Sequence, residues 1–193
     1  AKLLIDNGAN VDATDEYGNT PLHLTRRRNV ARLLIDNAAN VNAKKCEGFT
    51  PLSKASSHGR LDIAKILIEN SAFVNATSKF ALTPLHRACN EGHLDVAKLL
   101  INNDANVDAT NRWLDVPLHG PCYKGHLDVA KLLIDSNANV DARNDNGDTP
   151  LHKACDKEQL NVAQLLIDSN ANVGATNDNG DTPLHEACKK GEL

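Results

Sequence analysis

Histidine and cysteine are the side chains here that could hold a metal or attack a substrate, and the chain has eight of the first and five of the second. Their spacing decides what chemistry is open to them. His86, His119, His152 and His185 follow one another at 33-residue intervals, and so do Cys89, Cys122, Cys155 and Cys188. Side chains at the same place in stacked units stand one helix diameter apart, about 10 Å. A metal needs nitrogen ligands at about 2 Å, and a disulfide needs Cα atoms within about 7 Å. The histidines, together with His23, are therefore expected to hydrogen-bond between neighbouring units. The four cysteines are expected to be small buried apolar residues. His93 and His126 belong to the same structural set, and His58 is irregular. Cys46 falls in a loop and is expected to be exposed. No carboxylate pair stands beside a nucleophile, and no Gly-rich phosphate loop, Cys-x-x-Cys or Gly-x-Ser-x-Gly occurs. No cofactor, metal or catalytic residue is assigned.

What positions these residues is a repeat. Thr-Pro-Leu-His stands at 20–23, 83–86, 149–152 and 182–185, with degraded copies Thr50-Pro51-Leu52-Ser53 and Val116-Pro117-Leu118-His119 between. A unit this small cannot bury its own apolar face and must stack on its neighbours. The reading is one domain over 1–193. It has a partial repeat at 1–14, repeats at 15–44, 45–77, 78–110, 111–143 and 144–176, and a partial repeat at 177–193. Only 15–44 is short, and Arg26-Arg27-Arg28 sits where it has lost residues between its helices.

Within 78–110, Thr83 caps a helix and Pro84 takes its first position, where a missing N–H costs nothing. The helix runs to about Asn90, and Gly92 breaks it. A second helix covers 94–101, with Asp95 and Lys98 on its wet stripe; Asp62/Lys65, Asp95/Lys98 and Asp128/Lys131 are expected i,i+3 pairs. Asp145-Asn146-Gly147 and Asp178-Asn179-Gly180 read as β-hairpin turns. Each unit is thus helix, turn, helix, loop, hairpin.

In these motifs and this period the chain resembles ankyrin-repeat proteins. The resemblance covers essentially the whole chain. It implies a mainly α fold: L-shaped units, antiparallel helices stacked into a curved solenoid, and hairpins projecting as fingers. It also implies a role in binding other proteins along the fingertips and the inner, first-helix face.

Composition agrees with a protein-binding module. Twenty-one basic and 25 acidic residues leave a net charge of −4, so no strong field invites nucleic acid or an anionic membrane. No apolar run is long enough to span a bilayer. The chain opens mid-pattern and holds no methionine, so it is expected to be a segment of a longer product. The free cysteines favour a reducing, intracellular, cytoplasmic compartment. A monomer is expected, with end-to-end contacts open to uncapped termini where Leu3, Leu4 and Ile5, and Leu184 with Ala187, would lie exposed.

Departures from the repeat locate candidate contacts. Of the aromatic residues, Tyr17, Phe49, Phe80 and Trp113 fall in the hairpins and Tyr123 on the inner face, with only Phe73 elsewhere. Aromatics on exposed fingers supply contact area at modest entropic cost. The hairpins at 79–82 and 112–115 lack their glycine, which should strain or reshape the turn. Val116 replaces a capping threonine, and Gly120-Pro121 lies inside a first helix, where proline can cost about 3 kcal/mol. The expected contact set is Phe49, Phe80, Leu82, Trp113 and Leu114 as apolar anchors, with Arg87, Asn90, Glu91, Tyr123, Lys124, Lys153, Asp156 and Lys157 as polar partners.

The function expected is a scaffold, not an enzyme, that binds another protein. One alternative is a regulatory or targeting module of a larger enzyme or effector. A weaker one is phosphate or nucleic-acid binding through Arg26, Arg27, Arg28, Lys44 and Lys45.

Overall fold

The computed structural model describes residues 1–189. Among these the chain forms twelve helices and no strand. After α1 (Lys2–Asp6), the first helices are α2 (Pro21–Leu24), α4 (Pro51–Ser57), α6 (Pro84–Asn90), α8 (His119–Lys124), α10 (Pro150–Asp156) and α12 (Pro183–Lys189). The second helices are α3 (Arg28–Asp36), α5 (Leu61–Glu69), α7 (Leu94–Ile101), α9 (Leu127–Asp135) and α11 (Leu160–Asp168). First helices stack on first helices, second on second, and each pair packs together, giving the expected two-layer helical solenoid.

The core is a set of ladders. Leu22, Leu52, Leu85, Leu118 and Leu151 follow the prolines, and Leu34, Leu67, Leu100, Leu133 and Leu166 line the second helices; all are buried. Each such leucine is worth about 1.5–3 kcal/mol of transfer free energy. Alanines fill the places where helices approach closely, among them Ala64, Ala88, Ala97, Ala130 and Ala154. The ladders stop at the ends. Leu3, Leu4 and Leu184 are exposed as expected, whereas Ile5 and Ala187 are half-buried. Leu160 is 79% exposed because no outer helix follows α11 among the described residues.

Second helices end alike. Ala38, Ser71, Asp104, Asn137 and Asn170 take left-handed geometry, φ 63–65°. The next alanine returns its N–H to a leucine carbonyl five residues back, as Ala105 does to Leu100 at 3.0 Å. That is the Schellman closure. Beyond it runs a polar ladder. The Asn75 side chain accepts from the Asn106 N–H at 2.9 Å, Asp108 from Asn139 at 2.9 Å, and Asp141 from Asn172 at 2.9 Å. The expected i,i+3 pairs on the second helices do not form ion pairs; exposed on a solvated face, they gain too little to stay closed.

The fingers are tight turns, not strand ladders. In each, two backbone hydrogen bonds close the loop, such as Gly147 N–H to Asn144 C=O at 2.9 Å and Asn144 N–H to Asp148 C=O at 3.0 Å. Neighbouring fingers share one further bond, given by Cys46 to Tyr17, Lys79 to Glu47, Arg112 to Phe80, Asp145 to Trp113 and Asp178 to Asn146. No helix among the described residues is long and apolar enough to cross a membrane.

Candidate functional site

Four histidines, on α2, α6, α8 and α10, tie their helices to the next finger. The Nδ1 atoms of His23, His86 and His152 each lie 3.2 Å from the capping threonine's own backbone nitrogen and 2.9 Å from its hydroxyl. The Nε2 atoms of His23, His86, His119 and His152 reach carbonyls of the following unit, at Phe49, Asp115, Asp148 and Asp181, over 3.0–3.2 Å. A carbonyl only accepts, so Nε2 carries the proton; a backbone N–H only donates, so Nδ1 is bare. The satisfied ring is neutral. Burial pushes the imidazoles of His23, His86 and His119 below the ordinary histidine range, in the same direction. These rings are fasteners, as their spacing predicts.

The cysteine column is graded. Cys89 and Cys122 are buried, and burial pushes their thiols up. Cys155 is half-buried and Cys188 exposed, since among the described residues no further unit follows α12 to cover that end. Cys46 is exposed on its finger as expected. Among the described residues, no three His, Cys, Asp or Glu side chains gather to hold a metal ion.

The fingers at 79–82 and 112–115 keep the turn that glycine makes elsewhere. Ala81 and Leu114 stand at φ 56° and 58°, in the left-handed region. Loss of glycine therefore strains the turn without reshaping it, at about 1–2 kcal/mol each. Side-chain caps hold the shape. Ser78 Oγ accepts from the N–H of Phe80 and Leu82, and Asn111 Oδ1 accepts from Trp113 at 2.8 Å and Asp115 at 3.0 Å. Trp113 thus has its N–H held by Asn111 and its carbonyl by Asp145. Its ring lies parallel to Phe80, centroids 6.0 Å apart and planes 11° apart.

Below this stack, between the fingers and helices α6 and α8, opens a groove of about 250 Å³. Leu82, Arg87, Asn90 and Trp113 line it, with Asn111 and Gly120. Gly120 makes the space. It stands where Arg87 and Lys153 stand in their helices, and a Cβ there would come within 3.1 Å of Asn90 Cα. Pro121 does not sit mid-helix as the sequence suggests. Helix α8 starts at His119, two residues late, which leaves the proline in the first turn, where an N–H lacks an intrahelical partner anyway. Val116 brings no hydroxyl, yet its N–H still finds His119 Nδ1 at 3.0 Å.

The remaining expected contacts form neighbouring clusters on the first-helix face. The Arg87 guanidinium lies 5.3 Å over the Phe49 ring and donates to Ser57 Oγ at 2.8 Å. Glu91 accepts from Asn90 at 2.9 Å and from Lys124 at 3.3 Å. Burial pushes the Glu91 carboxyl up, but those two donors overcome it and hold it below the ordinary range. Lys157 sits 4.8 Å over the Tyr123 ring and 3.0 Å from Asp156. Lys153 pairs with Asp148 at 2.8 Å. Leu114 is half-exposed at its fingertip and does not line the groove. Arg27 and Arg28 are not a free turn between helices: Arg27 caps α3 and Arg28 begins it.

Sequence reasoning missed the asparagines that set the fingers, Asn111, Asn144 and Asn177, although they recur at the repeat spacing. It also missed Gly120 as the maker of the groove.

A family model described as ankyrin repeats, three copies, matches the chain at residues 1–78, 74–144 and 118–193. No curated protein matches the chain.

Proposed function

The chain belongs to the ankyrin-repeat family, whose members are generally protein-interaction modules, and from that premise we propose that it is a scaffold that docks another protein across its fingers and first-helix face. The observation that carries this reading is the Phe80–Trp113 stack at the rim of the groove. Two large aromatics stand half-buried and exposed on adjacent fingers, with the Trp113 backbone tied on both sides. An anchor already held in place loses little freedom on binding, which is where affinity is usually lost. Phe49, Phe80, Leu82, Trp113 and Leu114 supply apolar area. Arg87, Asn90, Glu91, Tyr123, Lys124, Lys153, Asp156 and Lys157 surround them with polar groups that select the partner. No catalytic role is assigned to the chain.

The test is capture from a cell extract by the wild-type array and by the Trp113→Ala, Phe80→Ala double variant. Loss of the captured protein with unchanged circular dichroism supports the docking face. Equal capture by a folded double variant sinks it.

A further inference from the structure

One lysine lacks the carboxylate that its counterpart has. Lys153, on α10, is paired with Asp148 at 2.8 Å, and both side chains are largely shielded, at 22% and 15% exposure. Burial pushes the Asp148 carboxyl up, and the Lys153 and Asn177 hydrogen bonds more than reverse that. Three repeats earlier, at the same two places, stand Lys54 and Phe49. The lysine is kept, half-buried, and its carboxylate has become an aromatic ring. Among the described residues the Lys54 ammonium forms no ion pair.

What surrounds Lys54 makes the gap costly. A pocket of about 130 Å³ is lined by Lys45, Lys54, Arg87, Phe49, Ser57 and Glu47, among others. The single carboxylate there, Glu47, is taken by Lys45 at 3.1 Å. Arg87 is turned onto Ser57 and the Phe49 ring. Burial pushes the Lys54 ammonium down, and Lys45, Arg60 and Arg87 push it the same way, with only Glu47 opposing them; Arg60 in turn feels Arg26. The pocket therefore carries a surplus of positive charge on a chain whose net charge is −4. Charge complementarity across an interface sets specificity and association rate.

We propose that this pocket receives an aspartate or glutamate side chain of the docked protein, in the place that Asp148 fills for Lys153. The inference rests on the docking reading above and names the chemistry of the partner: an acidic segment passing over Phe49. The aromatic ring that replaced the carboxylate becomes the apolar wall along which that segment's side chain enters. Arg87, already stacked on the wall, is the second cation within its reach.

A fluorescein-labelled hexaglutamate peptide, titrated at low salt and followed by fluorescence polarisation, tests the pocket alone. Lys54→Gln is expected to weaken binding about tenfold, and raised salt to weaken it further. Phe49→Asp restores the internal pair, so it should block the peptide to a similar degree while leaving the array folded. Lys65→Gln removes the same charge from the solvent face of α5 and serves as the control, with binding unchanged. Hexaglutamate binding that is indifferent to Lys54→Gln, or equally weakened by Lys65→Gln, overturns the proposal. So does a phosphoserine peptide that binds the same residues more tightly than hexaglutamate. Loss of capture in the Trp113, Phe80 double variant, together with hexaglutamate binding indifferent to Lys54→Gln, discards the pocket and keeps the docking face.

Discussion

Residues 144–156 and residues 111–124 trace the same finger and first helix by different means. In the first stretch, Gly147 makes the turn at φ 73°, Thr149 caps the helix with His152, and α10 begins at its proline. In the second, Leu114 is forced to φ 58°, Val116 has no hydroxyl, and α8 starts late around Gly120 and Pro121. The regular stretch spends its side chains on its own stability and leaves a polar surface. The irregular one keeps the path through Asn111 and His119, and in return shows Trp113 and opens a groove. Local rules broken at one place while the global path holds are a common mark of a working surface.

The largest expected effect tests what holds the irregular stretch. His119→Ala removes the acceptor for the Val116 N–H and the bond to Asp148 C=O, and should cost about 2–4 kcal/mol in urea unfolding. His152→Ala should cost less, since Thr149 still accepts from the residue at 152. Equal losses would show that the threonine contributes nothing and the contrast is empty. Acid probes the same bonds without mutation. The imidazoles of His23, His86 and His119 titrate lower in the fold than in the open chain, whose value is about 6.5. Their stabilisation is complete above about pH 6.5 and is lost as pH falls toward the folded values. The urea midpoint should therefore drop between about pH 7.5 and about pH 5.5; a flat profile contradicts the neutral-ring assignment.

Next in size is an extension of the comparison to a third stretch. Ser56 occupies the place of Cys122 and Cys155, fully buried, with no hydrogen-bond partner for its hydroxyl. Ser56→Cys should stabilise by about 1–3 kcal/mol, the cost of an orphaned buried polar group. Smaller gains are expected from relieving the irregular stretch itself. Leu114→Gly should add about 1–2 kcal/mol by accepting the left-handed turn, and Val116→Thr about 1 kcal/mol by restoring the cap. If neither raises the urea midpoint, the strain assigned to 111–124 is misplaced.

The histidine ladder and the two-layer stack were legible because a repeat reports on itself: a residue at 33-residue spacing meets the same neighbours each time. The helix start at His119 was not, because proline's penalty depends on where the helix begins, and that shifted to suit it. Gly120 reads within its own helix as a defect; only the approach of Asn90 from α6 turns it into an opening. The Lys54 vacancy needed the reach of a side chain five positions along, which becomes visible once Lys153 is seen against Asp148. Leu114 was expected at a fingertip from the repeat register, and it stands there half-exposed, outside the lining of the groove that Leu82 and Trp113 share.

The fingers are joined to one another by main-chain atoms, N–H of 46, 79, 112, 145 and 178 to the carbonyl of the finger before. Nothing in that link depends on the identity of a side chain. Any amino acid but proline can occupy those five positions and leave the row of fingertips aligned. Under the docking role proposed above, descendants of this gene are free to exchange one specificity for another, tip by tip, without first having to reinvent the rack that displays them.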